Sequence, residues 1–366
     1  MKLTLKIVSI NIGLCLISLL FLEISLRAYR TIKECNSTGC TFYHLKIKGL
    51  RKEKSHRILL LKHHTELGYV TRENVNLIVN ERGYDNISIN IGKYGLRNSS
   101  FDESSLKNRK VVLTVGDSFT FGDQVSDKDT WQSCLNNLQT KYEYKNGGVN
   151  GYGTAQSLYR AKLLSKEINP DFILISTLVN QDFERDRMKF RYGHPVVSVI
   201  KEKEKIFFDK PPDFNVPGSK FSNKSLDISF LDFFIANSFL LTKIRPELGI
   251  ENYTKINSLL HQVNEKAAPK KEIINWTILQ SSRLGIPVVW LLQYSKAIDN
   301  STFIEREEIL AALNKYKIKY IDTYDILHKK PSKSEKDLIW IGRNGHHSRW
   351  GNNLICEEID RVFKKL

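Results

Sequence analysis

The sequence has few cysteines and few prolines, and each shortage excludes a class of protein. Five cysteines among 366 residues, with no Cys-x-x-Cys pair, are too few and too scattered for a disulfide scaffold or a typical zinc site. Twenty glycines and nine prolines exclude a collagen-like or proline-rich chain. With 41% hydrophobic and 26% charged residues, the composition indicates a packed globular protein.

The cysteines lie in different settings along the chain. Cys35 and Cys40 are five positions apart in a short polar turn, which fits a small disulfide loop if this segment is outside the cytoplasm. Cys134 and Cys356 occupy apolar positions of two predicted helices, and this setting indicates buried thiols.

Positive charge is in clear excess. Lysine and arginine number 56 against 40 aspartates and glutamates, which gives a net charge of +16. Such a surplus favours anionic neighbours, such as nucleic acid, a membrane surface or an acidic polysaccharide. A well-solvated basic surface explains the same numbers, so the charge alone does not select a partner.

Residues 7–26 form an apolar run preceded by Lys2 and Lys6. A helix of about 20 residues spans the hydrocarbon core of a bilayer, and no Ala-x-Ala cleavage site follows. The run therefore predicts an uncleaved transmembrane signal anchor, with a cleaved signal peptide and a buried soluble helix as alternatives. Basic residues flank the run on both sides, so the positive-inside rule does not fix its orientation.

Residues 27–95 predict a basic connector with short strands. Its basic residues between positions 46 and 57 could contact anionic headgroups or be solvated. Segments 75–79 and 87–91 alternate apolar and polar residues between Gly and Asn, as short strands do. The adjacent His63 and His64 do not present two ligands to one metal ion.

From residue 110 onwards, strand-like and helical segments alternate. Apolar runs at 111–115, 171–177 and 287–292 are typical of buried parallel strands, and helical spacing appears between them. Thr154 is the predicted N-cap of one helix. This alternation predicts an open, mostly parallel sheet with helices on both faces. Residues 184–270 interrupt it and predict an insertion suited to a lid or a substrate-binding element.

Four polar segments accompany these strands and the last helix. Gly116–Gly122 follows the first core strand and places Ser118 at the start of the next turn or helix, where open α/β sheets bind ligands. Segment 146–153 is rich in glycine but lacks the Gly-Lys-Ser/Thr of a P-loop. Asn180 follows the third strand and could donate its amide to a substrate oxygen. His346, before the last helix, is the candidate base for Ser118.

Together these four segments resemble the SGNH/GDSL hydrolase superfamily, whose four blocks occur here in order. The resemblance covers residues 95–183 and 285–366, so the hydrolase-like domain is expected over 96–366. It implies a flavodoxin-like, three-layer α/β/α sandwich. It also implies Ser118 as the nucleophile and His346 as the base. The oxyanion donors implied are the backbone N–H of Gly151 and the side chain of Asn180.

One position departs from the family pattern. The last block of the family carries an acidic residue two or three positions before the histidine, where this chain has Asn344 and Arg343. Asparagine can orient the imidazole but supplies no charge, and a Ser-His-Asp triad loses about 10⁴ in turnover when its acid becomes Asn. Three interpretations remain open: a Ser–His dyad, another carboxylate such as Asp337, or a weak or lost activity. His347 is a second candidate base.

The sequence thus predicts a membrane-anchored serine esterase or O-acyltransferase that acts on acylated glycans or lipids. Its catalytic domain is expected on the extracytoplasmic side of the cytoplasmic membrane, because such substrates lie in the cell envelope. No metal or organic cofactor is expected, and the sequence does not predict an oligomeric state. The rival interpretation is a non-catalytic glycan- or lipid-binding protein on the same fold. No nucleic-acid motif occurs, so a nucleic-acid partner is not expected.

Overall fold

The computed structural model of the chain describes residues 60–81, 84–98, 108–138, 141–191, 194–211, 263–342 and 345–365, together with Ser18, Leu22, Ile24 and Ser25. The chain divides into two units. One joins residues 1–54 to 223–258, and the other joins residues 55–222 to 259–366. The elements below all belong to the second unit.

The strands and helices alternate along most of the second unit. The strands are β1 (Leu61–His64), β2 (Gly68–Thr71), β3 (Val75–Glu81), β4 (Tyr84–Ile91), β5 (Lys110–Val115), β6 (Tyr142–Asn146), β7 (Phe172–Leu178), β8 (Phe190–Arg191), β9 (His194–Pro195), β10 (Ser198–Glu202), β11 (Lys205–Asp209), β12 (Val288–Gln293) and β13 (Lys319–Asp322). The α-helices are α1 (Ser118–Phe121), α2 (Trp131–Leu138), α3 (Thr154–Ile168), α4 (Asp182–Arg185), α5 (Lys270–Ser281), α6 (Asn300–Lys315), α7 (Lys333–Ile339) and α8 (Arg349–Phe363).

Five parallel strands form the central sheet in the order β13-β12-β7-β5-β6. Numbered by chain position within the sheet, this is the 2-1-3-4-5 order of flavodoxin-like folds. Right-handed crossovers place α2 on one face and α3, α5 and α6 on the other. The contacts agree, since α2 packs against α8 while α3 packs against α5, and α5 against α6. The predicted α/β architecture with a parallel sheet is confirmed.

Burial explains why the sequences of the central strands are continuous apolar runs. In β7 every residue after Phe172 is buried, because helices cover both faces of the sheet. Trp290 in β12 and Tyr144 in β6 are completely buried in the same core cluster. The helix predicted to follow an N-cap at Thr154 instead begins at that residue, with Gly153 as its N-cap. The Thr154 hydroxyl bonds the Thr177 hydroxyl of β7.

The segment predicted as a connector is part of the globular unit from residue 60 onwards. Strands β1 and β2 form one antiparallel hairpin, and β3 and β4 form another. Tyr69 of β2 is fully buried and its hydroxyl donates to the carbonyl of Asn150. Arg97, beyond β4, makes an isolated antiparallel bridge with Asn146 at the edge of the sheet. These hairpins therefore cover one side of the region that follows β5 and β6.

Part of the predicted insertion is joined to the core. Strands β10 and β11 pair with each other, and Val199 of β10 is buried in the main cluster. The backbone N–H of Val199 donates to the carbonyl of Asp186, and that of Ala268 donates to the carbonyl of Val199. The insertion was expected at 184–270 as a lid or a substrate-binding element, and its residues 212–262 lie outside the described residues.

Cys134 of α2 and Cys356 of α8 form a disulfide, with their Cα atoms 6.1 Å apart. The expectation that both are free buried thiols is therefore wrong. The two helices pack against each other on one face of the sheet, and this brings the sulfur atoms together across 222 positions of sequence. Sequence spacing cannot reveal such a pair, because the fold alone makes these positions neighbours.

The transmembrane prediction falls almost entirely outside the described residues. Of positions 7–26, the structure describes Ser18, Leu22, Ile24 and Ser25, all helical. Among the described residues there is no helix of sufficient length and hydrophobicity to cross a bilayer.

Candidate active site

The nucleophile candidate stands where a core strand turns into a short helix. Asp117 is the N-cap of α1, and its Oδ1 accepts the backbone N–H of Phe119 at 2.8 Å. Ser118 is the first residue of α1 and is 7% exposed. A Cβ at Gly116 would lie 2.1 Å from the Thr120 hydroxyl, so only glycine permits this tight turn. The turn presents the Ser118 hydroxyl at the carboxyl edge of the sheet.

His346 approaches Ser118 from the far end of the chain. Its Nε2 lies 2.8 Å from the Ser118 Oγ, which is the separation needed for proton transfer from a nucleophile to its base. The imidazole packs against the Phe119 ring at an interplanar angle of 54°, with the ring centroids 4.9 Å apart. The side chain of His346 remains 18% exposed. The structure thus brings together the two residues that the sequence assigns to nucleophile and base.

His347 has a different environment from its neighbour. It is fully buried, and its Nε2 lies 3.2 Å from the carbonyl oxygen of Tyr294. Burial lowers the pKa of His347 to about 3, so the ring stays neutral at neutral pH. His347, the second candidate base, therefore contacts the backbone just beyond β12 and not Ser118.

The other ring nitrogen of His346 faces the loop after α1. Its Nδ1 lies 2.8 Å from the side-chain oxygen of Gln124 and 3.9 Å from Oδ2 of Asp123. Asn344, the residue expected at the acid position, lies outside the described residues. Asp337, the alternative carboxylate, is 71% exposed and pairs with Lys296 at 2.9 Å. Neither Asp123 nor Gln124 was singled out from the sequence, because the family pattern places the acid beside the histidine.

The oxyanion donors expected from the sequence are only partly at the site. Gly151 has φ +82° and lines the cavity beside Ser118. Asn180 does not line it: its amide nitrogen lies 3.4 Å from Oδ1 of Asp299. Gln181, the next residue, lines the cavity instead. Asn180 has φ +69°, a conformation that favours glycine, and the next residue takes the place in the cavity wall that the sequence predicted for Asn180.

A buried cluster of charges lies beneath Gln181. Arg185 Nη1 is 2.8 Å from Oδ2 of Asp117 and 2.5 Å from Oδ1 of Asp182, while Nη2 donates to the Gln181 side-chain oxygen at 3.0 Å. Burial, together with the nearby Asp117 carboxylate, raises the pKa of Asp182 well above its ordinary value. Arg185 thus binds the oxygen of the Gln181 amide, and the NH₂ of this amide is a donor.

A second buried carboxyl lies behind this cluster. Asp186 accepts the backbone N–H groups of Ala155 and Gln156 at the start of α3, at 2.8 and 3.1 Å. Burial raises the pKa of Asp186 to about 7, against the lowering effect of those N–H groups. A Cβ at Gly153 would lie 2.1 Å from Asp186 Oδ1, so glycine is needed for this close approach.

The site opens into a cavity of about 400 Å³. Among the described residues that line it there is no carboxylate side chain, whereas a lysine, an arginine and a histidine are present. Its lining residues are Ser118, Phe119, Asn150, Gly151, Gln181, Arg185, Ser295, Lys296, Ala297, Gly345 and His346. Within the described part of the chain, no group of three or more His, Cys, Asp or Glu side chains could hold a metal ion.

No protein-family model matches the chain, and no curated protein matches its sequence. Among solved structures the chain is similar to a lipolytic protein of the G-D-S-L family from Veillonella parvula DSM 2008. The two are 13% identical, the match covers 70% of this chain and 100% of that one, and the TM-score is 0.40. It is also similar to a psychrotrophic esterase from Pseudoalteromonas sp., at 11% identity over 70% and 97% of the two chains and a TM-score of 0.39.

A third similar structure is a catalytic mutant of an acetylxylan esterase from Geobacillus stearothermophilus. It is 10% identical, with 69% of this chain and 93% of that one covered, and the TM-score is 0.37. All three TM-scores are 0.40 or lower.

Proposed function

We propose that the protein is a serine hydrolase of the SGNH/GDSL type that acts on ester bonds, with Ser118 as nucleophile and His346 as base. The observation that carries the proposal is the 2.8 Å contact between Ser118 Oγ and His346 Nε2 at the wall of an open cavity. A hydroxyl becomes a competent nucleophile when a neutral imidazole nitrogen within hydrogen-bonding distance can take its proton.

The reaction proceeds through an acyl-enzyme. Ser118 Oγ attacks the ester carbonyl while its proton passes to His346 Nε2, and a tetrahedral oxyanion forms. The imidazolium then returns the proton to the leaving alcohol as the C–O bond breaks. Water, activated by the same histidine, hydrolyses the acyl-serine. An acceptor alcohol in place of water gives O-acyl transfer, so the same site accommodates both reactions.

Three donors serve the oxyanion in this proposal. They are the backbone N–H groups of Ser118 and Gly151 and the side-chain amide of Gln181, which replaces the Asn180 amide expected from the sequence. The support for Gln181 is its place in the cavity wall and its bond through oxygen to Arg185. A preorganised donor of this kind contributes most when water is excluded.

The substrates proposed are acylated glycans or lipids of the cell envelope. A cavity of about 400 Å³ accommodates an acyl group with part of its alcohol. Lys296 and Arg185 line the cavity, each paired with carboxylates of the protein itself, and the chain carries a net charge of +16. The net charge favours a substrate with anionic groups, such as an acidic polysaccharide.

The location proposed for the domain is the extracytoplasmic side of the cytoplasmic membrane, with residues 7–26 as a single-pass anchor. The disulfide between Cys134 and Cys356 supports this side, because disulfides persist in oxidising compartments and are rare in the cytosol. Protease digestion of intact cells tests the proposal. Digestion of the domain only after the inner membrane is breached would contradict it.

Labelling with a serine-reactive fluorophosphonate tests the proposed chemistry directly. We expect the full-length protein to be labelled and to hydrolyse 4-nitrophenyl acetate, and we expect Ser118→Ala to abolish both. Ser295→Ala is the matched control, because Ser295 lines the same cavity but donates to the carbonyl of Ala297. Absence of both labelling and turnover in the wild-type protein would favour the non-catalytic binding protein.

A further inference from the structure

The loop after α1 carries the partner of the catalytic histidine, and its geometry fixes the tautomer of that histidine. The side-chain oxygen of Gln124 lies 3.0 Å from the backbone nitrogen of His346 and 2.8 Å from Nδ1 of the same residue. The backbone N–H can only donate, so the atom of the Gln124 amide that faces it must be the oxygen. This oxygen can only accept, so Nδ1 must carry the ring proton.

This tautomer is the one that general-base catalysis requires. With the proton on Nδ1, the lone pair of the ring is on Nε2, which faces Ser118 Oγ at 2.8 Å. In a Ser-His-Asp triad the aspartate imposes the same tautomer by accepting from Nδ1. Gln124 makes the equivalent contact here, from a position six residues after the nucleophile and not two or three residues before the histidine.

Two features hold Gln124 in place. Arg97 is fully buried and donates to the carbonyls of Phe121, Gly122 and Val125, which flank the Asp123–Gln124 pair on both sides. Gly345 allows the histidine loop to approach, since a Cβ there would collide with the carbonyl of Ile341 and lie 3.2 Å from the Gln124 oxygen. Gln124 itself has φ +68°, a strained conformation for a residue with a side chain.

Negative charge lies one residue away from this amide. The Asp123 side chain has no exposed surface, and its Oδ2 is 3.9 Å from Nδ1 of His346. That distance is too long for a hydrogen bond, but a buried carboxylate so close stabilises an imidazolium electrostatically. The two contributions of a triad acid, orientation and charge, are therefore available from two adjacent residues.

We propose that Gln124 is the positioning residue of the base, holding His346 as the Nδ1–H tautomer, and that Asp123 supplies the negative charge that a triad acid would provide. The proposal rests on the esterase function proposed above. It accounts for a working base without an acidic residue at position 344, and it assigns to the α1 loop a role that the family pattern gives to another segment.

Kinetics of 4-nitrophenyl acetate hydrolysis across pH by the full-length protein test the proposal. We expect Gln124→Ala to lower kcat about 10²-fold with little change in KM, because a misaligned base affects the transition state and not binding. Gln124→Glu restores an acceptor and adds charge, so kcat should recover to the wild-type value or exceed it. Gln280→Ala, on α5, is the matched control.

The dependence of kcat/KM on pH distinguishes the effect of charge near His346 from the effect of the orientation of its ring. Reaction requires neutral His346, so kcat/KM falls on the acid side of its pKa. A carboxylate at position 124 raises that pKa, and the acid limb of the Gln124→Glu profile should move to higher pH by about 1 unit. Asp123→Asn removes a negative charge and should move the limb to lower pH. Far-UV circular dichroism checks that both variants remain folded.

A spectroscopic measurement keeps the proposal testable without turnover. In protein labelled with ¹⁵N-histidine, long-range proton–nitrogen spectra identify the protonated ring nitrogen of His346. We expect Nδ1–H in the wild-type protein and a mixture of tautomers in Gln124→Ala. If wild-type turnover and labelling of Ser118 are absent, the esterase proposal fails, while this spectrum still decides the role of Gln124.

Three results would overturn the inference. One is a Gln124→Ala variant with unchanged kcat and an unchanged His346 tautomer. Another is a Gln124→Glu variant as impaired as Gln124→Ala, since a restored acceptor should rescue a positioning role. The third is a large gain in kcat from Asn344→Asp together with no effect of Gln124→Ala on kcat. Residue 344 would then be the partner of the histidine.

Discussion

The cavity has two flanks that are built in different ways. The base flank consists of the α1 loop with Gln124, and of His346; an uncharged amide contacts the imidazole there, and the nearest carboxylate oxygen of Asp123 is 3.9 Å away. The oxyanion flank consists of Gly151, Gln181 and the charge cluster around Arg185. There an ionised arginine contacts two carboxylates directly, at 2.8 and 2.5 Å.

The difference shows how each flank holds its shape. The helix that follows His346 is tied to α2 by a covalent bond between Cys356 and Cys134. The oxyanion flank relies on buried ion pairs, whose partners are costly to leave alone once they are out of water. We therefore expect the oxyanion flank to respond to loss of charge and the base flank to respond to reduction.

Replacing Arg185 should give the largest effect on stability. Arg185→Met leaves Asp117 and Asp182 without this partner, and breaking a buried ion pair costs about 3–5 kcal/mol of unfolding free energy. Arg187→Met is the control, because Arg187 pairs with Glu184 in a half-exposed position and such pairs contribute about 0–1 kcal/mol. Urea unfolding measures both. Equal losses in the two variants would show that the buried cluster does not support its flank.

The amide on the oxyanion flank gives the next effect. We expect Gln181→Ala to lower kcat by about 10²–10³, the usual loss on removing one oxyanion donor. Asn180→Gly should leave kcat close to wild type, since it removes an amide directed at Asp299 and relieves a positive φ. Steady-state kinetics on 4-nitrophenyl acetate compare the two. A large loss of kcat in Asn180→Gly with none in Gln181→Ala would show that Asn180 is the oxyanion donor, as the sequence predicts.

Reduction tests the covalent tie of the base flank. Cys356→Ser removes the disulfide to Cys134, and removal of a native disulfide costs about 2–4 kcal/mol. The melting temperature of the wild-type protein should fall on treatment with dithiothreitol, whereas that of the variant should not change further. Intact-mass measurement of the alkylated, unreduced protein shows independently whether these two thiols are free. Free thiols at both positions would remove this contrast between the flanks.

Titration of a buried carboxyl should give an effect that depends on pH. The folded-state pKa of Asp186 is raised to about 7, so this group contributes stability below the unfolded pKa near 4, and that contribution is lost as pH rises towards 7. Asp186→Asn should abolish this loss of stability. The loss amounts to about 1.4 kcal/mol of unfolding free energy for each unit by which the folded-state pKa exceeds the unfolded one. Urea unfolding of both proteins at pH 4.5 and 7.5 measures the difference. An identical pH dependence would show that Asp186 stays ionised when folded.

Sequence patterns predicted the central sheet well because its strands are buried on both faces. The runs expected at 111–115, 171–177 and 287–292 appear as β5, β7 and β12, each shifted by at most one residue at either end. In the last helix, α8, the residues Ile355, Ile359 and Phe363 are buried at helical spacing. The strands of the hairpin formed by β3 and β4 were predicted at 75–79 and 87–91 but were assigned to a connector, because their packing against the domain leaves no local pattern.

The site was predictable as far as its residues follow strands directly. Ser118 and Gly151 come after β5 and β6, and parallel topology brings these ends to one edge. Gln181 was missed because the backbone conformation of Asn180, with its positive φ, is not visible in the sequence. Gln124 and Arg97 were missed because their partners are 222 residues away or are backbone carbonyls.

The sequence alone determined the layered α/β fold, since continuous apolar strands alternating with amphipathic helices can bury their surfaces in few other ways. It also determined that a serine and a histidine lie at the same edge of the sheet. Only the tertiary structure decided which amide faces the cavity, which residue holds the histidine, and which cysteines are joined. These depend on side chains that meet across long stretches of chain, at distances set by the packing of whole elements and by no local pattern.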